Sequence, residues 1–83
     1  MALAIRILGL DPGLGRMGWG VIEVNGNRLR HVAHGVIKVP IEGSLASRLD
    51  NLFEGVLAAL AEHKPEEAAV EETFVNVNPA STL

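Results

Sequence analysis

The sequence contains no cysteine, and this absence excludes disulfide bonds and metal sites built from thiolates. The fold must then be held by packing without covalent cross-links, which suits a reducing compartment, so a cytoplasmic location is expected. A long apolar run is missing as well. The opening segment, MALAIRILGLD, is interrupted by Arg6 and ends in Asp11, which makes it too short and too polar for a signal peptide or a membrane span.

Basic residues are also few. Seven lysines and arginines stand against ten aspartates and glutamates, which gives a net charge of −3. Because the release of counterions from neutralised phosphates dominates affinity for nucleic acids, this balance argues against broad electrostatic binding of DNA or RNA by the chain alone.

Apolar residues, by contrast, are abundant, since 48% of the chain is hydrophobic and the mean hydropathy is +0.27. A chain of 83 residues buries only about 60% of the surface that its unfolded state exposes, so its core is thin. The excess of apolar surface has two interpretations, and composition does not choose between them. The chain is either a piece of a larger domain that covers this surface or a domain that associates with itself.

The first part of the chain has the pattern of three consecutive antiparallel strands. Residues 5–10 form a short Ile- and Leu-rich run, which is typical of a strand buried on both faces. Residues 17–24 alternate between large side chains and a face that includes two glycines, which indicates that something packs closely on that face. Asn25-Gly26 then predicts a type I′ hairpin turn into a third strand over residues 28–39.

Period-two alternation along the third strand predicts which side chains share a face. The residues expected together on one face are Leu29, Ala33, Ile37 and Val39. His31 and His34, three positions apart, are expected on opposite faces and therefore unable to share a metal ion. His63 lies near the end of a predicted helix, and all three histidines are interpreted as structural or solvated side chains.

After the third strand the pattern changes to that of an amphipathic helix, with Ser44 as a candidate N-cap and Lys64-Pro65 at the end. The apolar residues form one broad helical stripe: Leu45, Leu49, Leu52, Phe53, Val56, Leu57 and Leu60. A fourth strand over residues 68–71 should pair in parallel with the first if the helix is the crossover connection. Pro79-Ala80 resembles the start of a further helix. The order β-β-β-α-β predicts an α/β fold.

Acidic residues coincide with two predicted strand ends. Asp11 follows the first strand, Glu71 ends the fourth, and Glu72 comes directly after it. A carboxylate at the end of an apolar strand is costly unless it is paired or binds a cation. Two carboxylates on adjacent strands suit an oxygen-liganded ion such as Mg²⁺, which can activate water and stabilise the leaving oxygen in phosphodiester cleavage.

Each of these residues also has an ordinary structural interpretation. Asp-Pro-Gly is a common turn sequence, and either glutamate is acceptable as a solvated charge at a strand end. Because adjacent strand residues point to opposite faces, spacing does not decide whether Glu71 or Glu72 lies with Asp11. Among the scattered basic residues, Arg16 in the loop after Asp11 is the first candidate for a phosphate contact, although a solvated loop arginine is the default interpretation.

Three segments in order resemble motifs of the RuvC family of Holliday junction resolvases. They are ILGLDPG at 7–13, GWGV at 18–21 and AVEETF at 69–74. In that family the first and last segments lie on strands one and four of a ribonuclease H-like fold, so that α/β fold is expected here in truncated form. The resemblance covers essentially the whole chain, because the hairpin and the helix between the motifs are also in the expected places.

The resemblance implies roles for particular residues. By position, Asp11 and Glu71 match the first two metal-binding catalytic carboxylates of the family, which favours Glu71 over Glu72. Phe74 matches an aromatic residue that lies beside the DNA at the junction centre, although by pattern alone a packing role would be preferred. The resemblance further implies Mg²⁺ as the cofactor, with Mn²⁺ as a substitute, and symmetric hydrolysis of four-way junction DNA. It also implies a homodimer in the intact enzyme and cooperation with the RuvA–RuvB branch-migration complex.

The family pattern requires two further acidic residues on a C-terminal helix, and a basic helix, which residues 1–83 do not contain. The chain is therefore expected to be the N-terminal part of a single ribonuclease H-like nuclease domain and to be inactive alone. Continuation of the gene past Leu83 into a helix with paired acidic residues would support this expectation.

Two alternatives belong to other functional classes. An actin-like or sugar-kinase phosphotransferase begins with a similar strand and Asp-x-Gly turn, but it usually has Ser or Thr in the loop that here reads PGLGR. A second Asp-x-Gly motif is also expected in such proteins, and the sequence has none. The other alternative is a non-catalytic scaffold that keeps the ribonuclease H-like fold without its chemistry.

Overall fold

The structure, a computed structural model, describes residues 4–13 and 15–71. Its elements in chain order are β1 (Ile5–Pro12), β2 (Arg16–Asn25), β3 (Arg28–Lys38), α1 (Leu45–His63) and β4 (Glu67–Val70). The strands form one sheet in the order β3-β2-β1-β4, in which β1 pairs antiparallel with β2 and parallel with β4. The predicted order β-β-β-α-β and the parallel crossover are confirmed. Within the described ranges, no helix is long and apolar enough to cross a membrane.

Local sequence signals set the bounds of the hairpin and of the helix. Gly26 and the residue after it form the two-residue turn between β2 and β3. Gly26 has a φ of 61°, which glycine adopts without steric cost, whereas the residue after it does not have a positive φ. The predicted hairpin is confirmed, but the predicted type I′ turn is wrong, because that turn requires positive φ at both central residues and here only the first has it, as in a type II′ turn. Ser44 caps α1, because its side-chain oxygen accepts a hydrogen bond from the Ser47 N–H at 3.1 Å. At the other end Lys64 is left-handed, and its N–H donates to the Leu60 carbonyl at 2.9 Å.

Alternation along the strands separates the sheet into two faces. Leu8 and Val21 point to the face that α1 covers, where they are fully buried, and Met17 is buried with them. Trp19 lies on the same face and packs at a tilt against His63 of α1, with ring centroids 5.4 Å apart. This side of the sheet is named the helix face, and the opposite side, which α1 does not cover, is named the open face.

Small residues let α1 approach the helix face. Gly55 lies so close to Ile37 that a Cβ atom at position 55 would be 2.7 Å from Ile37 Cγ2, and Ala59 is buried. Leu52 and Val56 are half-buried beside them. The other side chains of the predicted apolar stripe are exposed: Leu45, Leu49, Phe53, Leu57 and Leu60. The stripe is therefore wider than the sheet can cover, and only one edge of it is buried.

A β-bulge interrupts the pairing of β3 with β2. Ile22 pairs with His31 and Val21 pairs with Ala33, so Val32 is left without a partner. At this point β3 has one residue more than β2. On one side of Val32, the side chains of β3 therefore point to the faces opposite to those that unbroken alternation from the other side would give.

The bulge overturns two expectations about the faces of β3. Leu29 lies on the open face, whereas Ala33 and Ile37 lie on the helix face, so the predicted common face is wrong. His31 and His34 lie together on the open face instead of on opposite faces, and their ring nitrogens are 2.9 Å apart. Both errors have the same cause, because strict period-two counting does not allow for the extra residue at the bulge.

Arg6 joins three strands to the end of the helix. Its Nε lies 3.0 Å from one carboxylate oxygen of Glu23, and the other oxygen accepts from Arg30 at 2.7 Å. Its Nη1 donates to the carbonyl of His63 in the last turn of α1 at 3.0 Å. The hydrogen bond from Arg30, and then that from Arg6, lowers the pKa of Glu23. The Arg6 main chain also bonds to Glu66, accepting from its N–H at 2.9 Å and donating to its carboxylate.

Truncation of Leu8 to alanine should reduce the free energy of unfolding by about 2–5 kcal/mol, because this side chain is 1% exposed. The same substitution at Leu49, which is 55% exposed, should change it by only about 0.5 kcal/mol. Urea denaturation followed by circular dichroism measures both. Equal losses at the two positions would show that Leu8 does not form the core of the packed face.

Candidate functional site

The pairing of β1 with β4 brings Asp11 and Glu71 to the same edge of the sheet. The parallel register aligns Leu10 with Val70, and the Glu71 N–H donates to the Leu10 carbonyl at 3.1 Å. Asp11 and Glu71 are the next residue along each strand, so both side chains point to the open face. The structure thus brings together the two acidic residues that the sequence singled out.

The carboxyl groups of Asp11 and Glu71 lie close enough to interact on an exposed surface. Asp11 raises the pKa of Glu71, first through hydrogen bonding to its protonated form and then through repulsion between the two charges, and desolvation adds a smaller effect. Two carboxylates this close ionise together only at a cost, unless a proton or a cation lies between them.

The two carboxylates border a groove of about 390 Å³ on the open face. Gly9, Gly18 and Gly20 lie along the floor of this groove, so main-chain atoms are accessible there. A Cβ atom at Gly18 would contact the Asp11 Cβ at 3.9 Å and would begin to fill the space beside the carboxylates. The absence of side chains at these positions allows a bulky ligand to approach the strands closely.

The donor set at Asp11 and Glu71 fits a hard divalent cation. Carboxylate oxygens are the ligands that Mg²⁺ prefers, and it usually keeps several waters when one or two carboxylates bind it. Within residues 4–13 and 15–71, no cluster of three or more Asp, Glu, His or Cys side chains is placed to hold a metal. An ion at this pair would therefore draw its remaining ligands from water or from groups outside the described residues.

A pair of basic residues lies near the carboxylates. Arg16 at the start of β2 pairs with Lys38 at the end of β3, and both are exposed on the open face at the same end of the sheet as Asp11. Together they line a cavity of about 460 Å³. Neither forms an ion pair with an acidic residue in the described part of the chain. Like charges directly opposite each other in an antiparallel pair are destabilising, so an anion shared between them would relieve the repulsion.

The sequence predicted some of the charged residues at this end of the sheet and did not predict others. It singled out Asp11, Glu71 and Arg16, whereas Phe74 lies outside the described residues. Lys38 was not singled out, because counting from the hairpin turn places Ile37 opposite Arg16, and the bulge shifts the partner by one residue. The basic side chain at the end of a strand was the only signal for Lys38 in the sequence.

Comparisons with known proteins extend over nearly the whole chain. Residues 7–83 match the family model described as crossover junction endodeoxyribonuclease RuvC. The protein of that name from Paramagnetospirillum magneticum is 61% identical over 79 residues, which is 95% of this chain and 48% of that protein. The one from a Caulobacter species is 60% identical over 81 residues, which is 98% of this chain and 48% of that protein. The chain spans about half the length of the curated relatives it matches.

Solved structures show the same arrangement of elements. Thermus thermophilus RuvC in complex with a Holliday junction substrate matches with a TM-score of 0.74 and 29% identity, over 89% of this chain and 46% of that one. A second structure of Thermus thermophilus RuvC matches with a TM-score of 0.73 and 30% identity, over 83% of this chain and 46% of that one. The predicted ribonuclease H-like fold is confirmed by these neighbours.

Replacement of Asp11 by asparagine should lower the pKa of Glu71 toward its ordinary value, since the change removes the charge that opposes ionisation. NMR titration of the Glu71 side-chain carboxyl in metal-free buffer measures the shift. Asp50→Asn, which removes a carboxylate from the exposed side of α1, is the matched control and should leave the Glu71 pKa unchanged. An identical Glu71 pKa in the wild type and in Asp11→Asn would contradict the contact between the two carboxyl groups.

Proposed function

The chain belongs to the RuvC family of crossover junction endodeoxyribonucleases, and we propose on this basis that residues 1–83 are the N-terminal part of a single nuclease domain. The intact enzyme would cut four-way DNA junctions by metal-dependent hydrolysis, with Mg²⁺ as the ion and Mn²⁺ as a substitute. The observation that carries the proposal is the Asp11–Glu71 pair on the open face, at the edge shared by two parallel strands. Membership of this family leaves no basis for the phosphotransferase alternative.

Asp11 and Glu71 are the proposed metal ligands and catalytic residues. Their paired carboxylates concentrate negative charge at one point of an otherwise uncharged groove floor, which selects a cation there. When bound, an ion of this class activates a water molecule for attack and stabilises the leaving oxygen. The glycines of the floor leave room for a phosphodiester beside the carboxylates. The proposed products are nicks with a 5′-phosphate and a 3′-hydroxyl.

The proposed substrate is a four-way DNA junction. One structural neighbour, Thermus thermophilus RuvC, was solved with a Holliday junction substrate, which supports junction DNA as the ligand of the family. A symmetric junction needs two symmetric cuts, so we propose that the intact enzyme acts as a homodimer, together with the RuvA–RuvB branch-migration complex.

Arg16 and Lys38 are proposed to contact the DNA backbone next to the scissile bond. They supply local positive charge to a chain whose net charge is −3, and they stand at the same edge of the open face as the carboxylates. Two positive charges that face each other destabilise the strand pair, and a phosphate bound between them would reduce this repulsion. The two residues therefore favour a position of the substrate in which one DNA strand crosses this end of the protein sheet.

In the full-length enzyme, Arg16→Gln or Lys38→Gln should weaken junction binding for all sequences and reduce the slope of log K against log salt concentration by about 1 for each lost phosphate contact. Arg28→Gln is the matched control, because Arg28 is an exposed arginine at the opposite end of β3. Fluorescence anisotropy with a labelled junction at several salt concentrations measures the slope. An equal loss of slope for Arg28→Gln would mean that the charge acts without regard to its position.

In the full-length enzyme, Asp11→Asn should abolish junction cleavage and leave junction binding largely intact, because asparagine keeps the side-chain shape and loses the charge that holds the metal. Asp50→Asn should cleave as the wild type does. Incubation of each variant with a labelled four-way junction and Mg²⁺, with binding measured in parallel, tests this. Loss of binding with residual cleavage would point to a structural role for Asp11.

The same assay distinguishes the remaining alternatives for the chain. Residues 1–83 alone should not cut the junction, because two carboxylates leave the ion with few protein ligands and the net negative charge opposes DNA binding. Symmetric incision by residues 1–83 alone would show that the other half of the relatives' length is dispensable. Failure of the full-length wild type to cleave would favour the non-catalytic scaffold.

A further inference from the structure

His31 and His34 form a pair on the open face of β3. The bulge at Val32 brings both side chains to this face. Nε2 of His31 lies 2.9 Å from Nδ1 of His34, and the ring centroids are 5.1 Å apart with the planes inclined at 53°. Both rings are exposed, so the two nitrogens are accessible from solvent.

We propose that His31 and His34 form a second metal site, chemically distinct from the carboxylate pair, that binds a divalent transition-metal ion such as Ni²⁺ or Cu²⁺. The proposal does not depend on the nuclease function, since it uses neither Asp11 nor Glu71. Imidazole nitrogens suit Ni, Cu and Zn, whereas carboxylates and water suit Mg and Mn. Ligand chemistry therefore separates the two sites on the same face.

The spacing of the two nitrogens matches chelation of one ion. With metal–nitrogen bonds of about 2.0–2.1 Å, a separation of 2.9 Å gives an angle at the metal of about 90°. This is the angle between neighbouring ligands in square-planar and octahedral sites, which are the geometries of Cu²⁺ and Ni²⁺. A tetrahedral ion would require the nitrogens to separate to about 3.3 Å at the same bond lengths.

The protonation of the rings also allows chelation. Without a metal, one of the two facing nitrogens carries the hydrogen of the hydrogen bond and the other accepts it, whichever tautomer is present. A metal takes the place of this shared hydrogen when the donor ring moves its hydrogen to its other nitrogen. The hydrogen moves between the two nitrogens of one ring, so chelation requires only a change of tautomer.

The surroundings leave space for the other ligands of the ion. His34 is opposite Gly20 and His31 is opposite Ile22 in β2, so no side chain of β2 stands beside His34. A Cβ atom at Gly20 would find only the Ala33 carbonyl within 4 Å, at 3.9 Å. Arg30, next to His31 in the chain, is held on the helix face by Glu23 at 2.7 Å. Its charge is therefore directed away from the proposed site.

Titration of the 83-residue chain with Ni²⁺ alone tests the proposal, with the affinity measured by calorimetry and the site located by paramagnetic broadening of NMR signals. We expect one site whose broadening centres on His31, His34 and Gly20. His31→Gln and His34→Gln should each weaken Ni²⁺ binding at least about tenfold, since a change that removes a ligand costs no less than one that removes its supporting contacts. Mg²⁺ should not broaden or shift the signals of the histidine pair.

His63→Gln is the matched control, because it removes an imidazole that lies on the helix face against Trp19. Its Ni²⁺ affinity should equal that of the wild type, and dispersed amide spectra of all variants verify folding. Equal Ni²⁺ affinity in the wild type, His31→Gln and His34→Gln would overturn the proposal and leave the pair as a hydrogen bond only. Broadening centred on Asp11 or on His63 would overturn it as well.

Discussion

The parallel register between β1 and β4 is the constraint on which the candidate site depends. Arg6 and Glu66 bond through their main chains at the start of this pairing, and Glu71 donates to Leu10 at its end. A slip of one residue would carry Glu71 to the helix face, because side chains alternate with period two. The side chain of Arg6 resists such a slip, since it is bound to Glu23 and to the last turn of α1.

The side chains that stabilise the fold and those of the candidate site lie on opposite faces of the sheet. The buried side chains, such as Leu8 and Val21, lie on the helix face, whereas the acidic pair, the basic pair and the glycine floor lie on the open face. Each charged pair on the open face repels within itself and would be relieved by a ligand of opposite sign. The proposed metal ion at one pair and the proposed phosphate at the other would be complementary in charge.

Much of the fold was predictable from local sequence signals because each signal acts over a few residues. Asn25-Gly26 located the hairpin to within one residue of its turn, although not the turn type, and Ser44 and Lys64-Pro65 bounded the helix. Asp11 was visible as a charge after an apolar run. Glu71 could be chosen over Glu72 only through the family resemblance, since adjacent strand residues are equivalent in spacing. The extent of helix burial was not predictable, because it depends on how much of the stripe one sheet can cover.

No local signal revealed the bulge at Val32. It changes which side chains of β3 share a face and which residue of β3 lies opposite Arg16. It also has an evolutionary consequence. If Val32 were lost, every remaining residue of β3 would keep its present partner in β2, because Val32 has none. The hairpin can therefore lose one residue at this point while Arg16 and Lys38 stay opposed. Comparison of related chains should accordingly align β3 from its two ends and place any gap at the bulge.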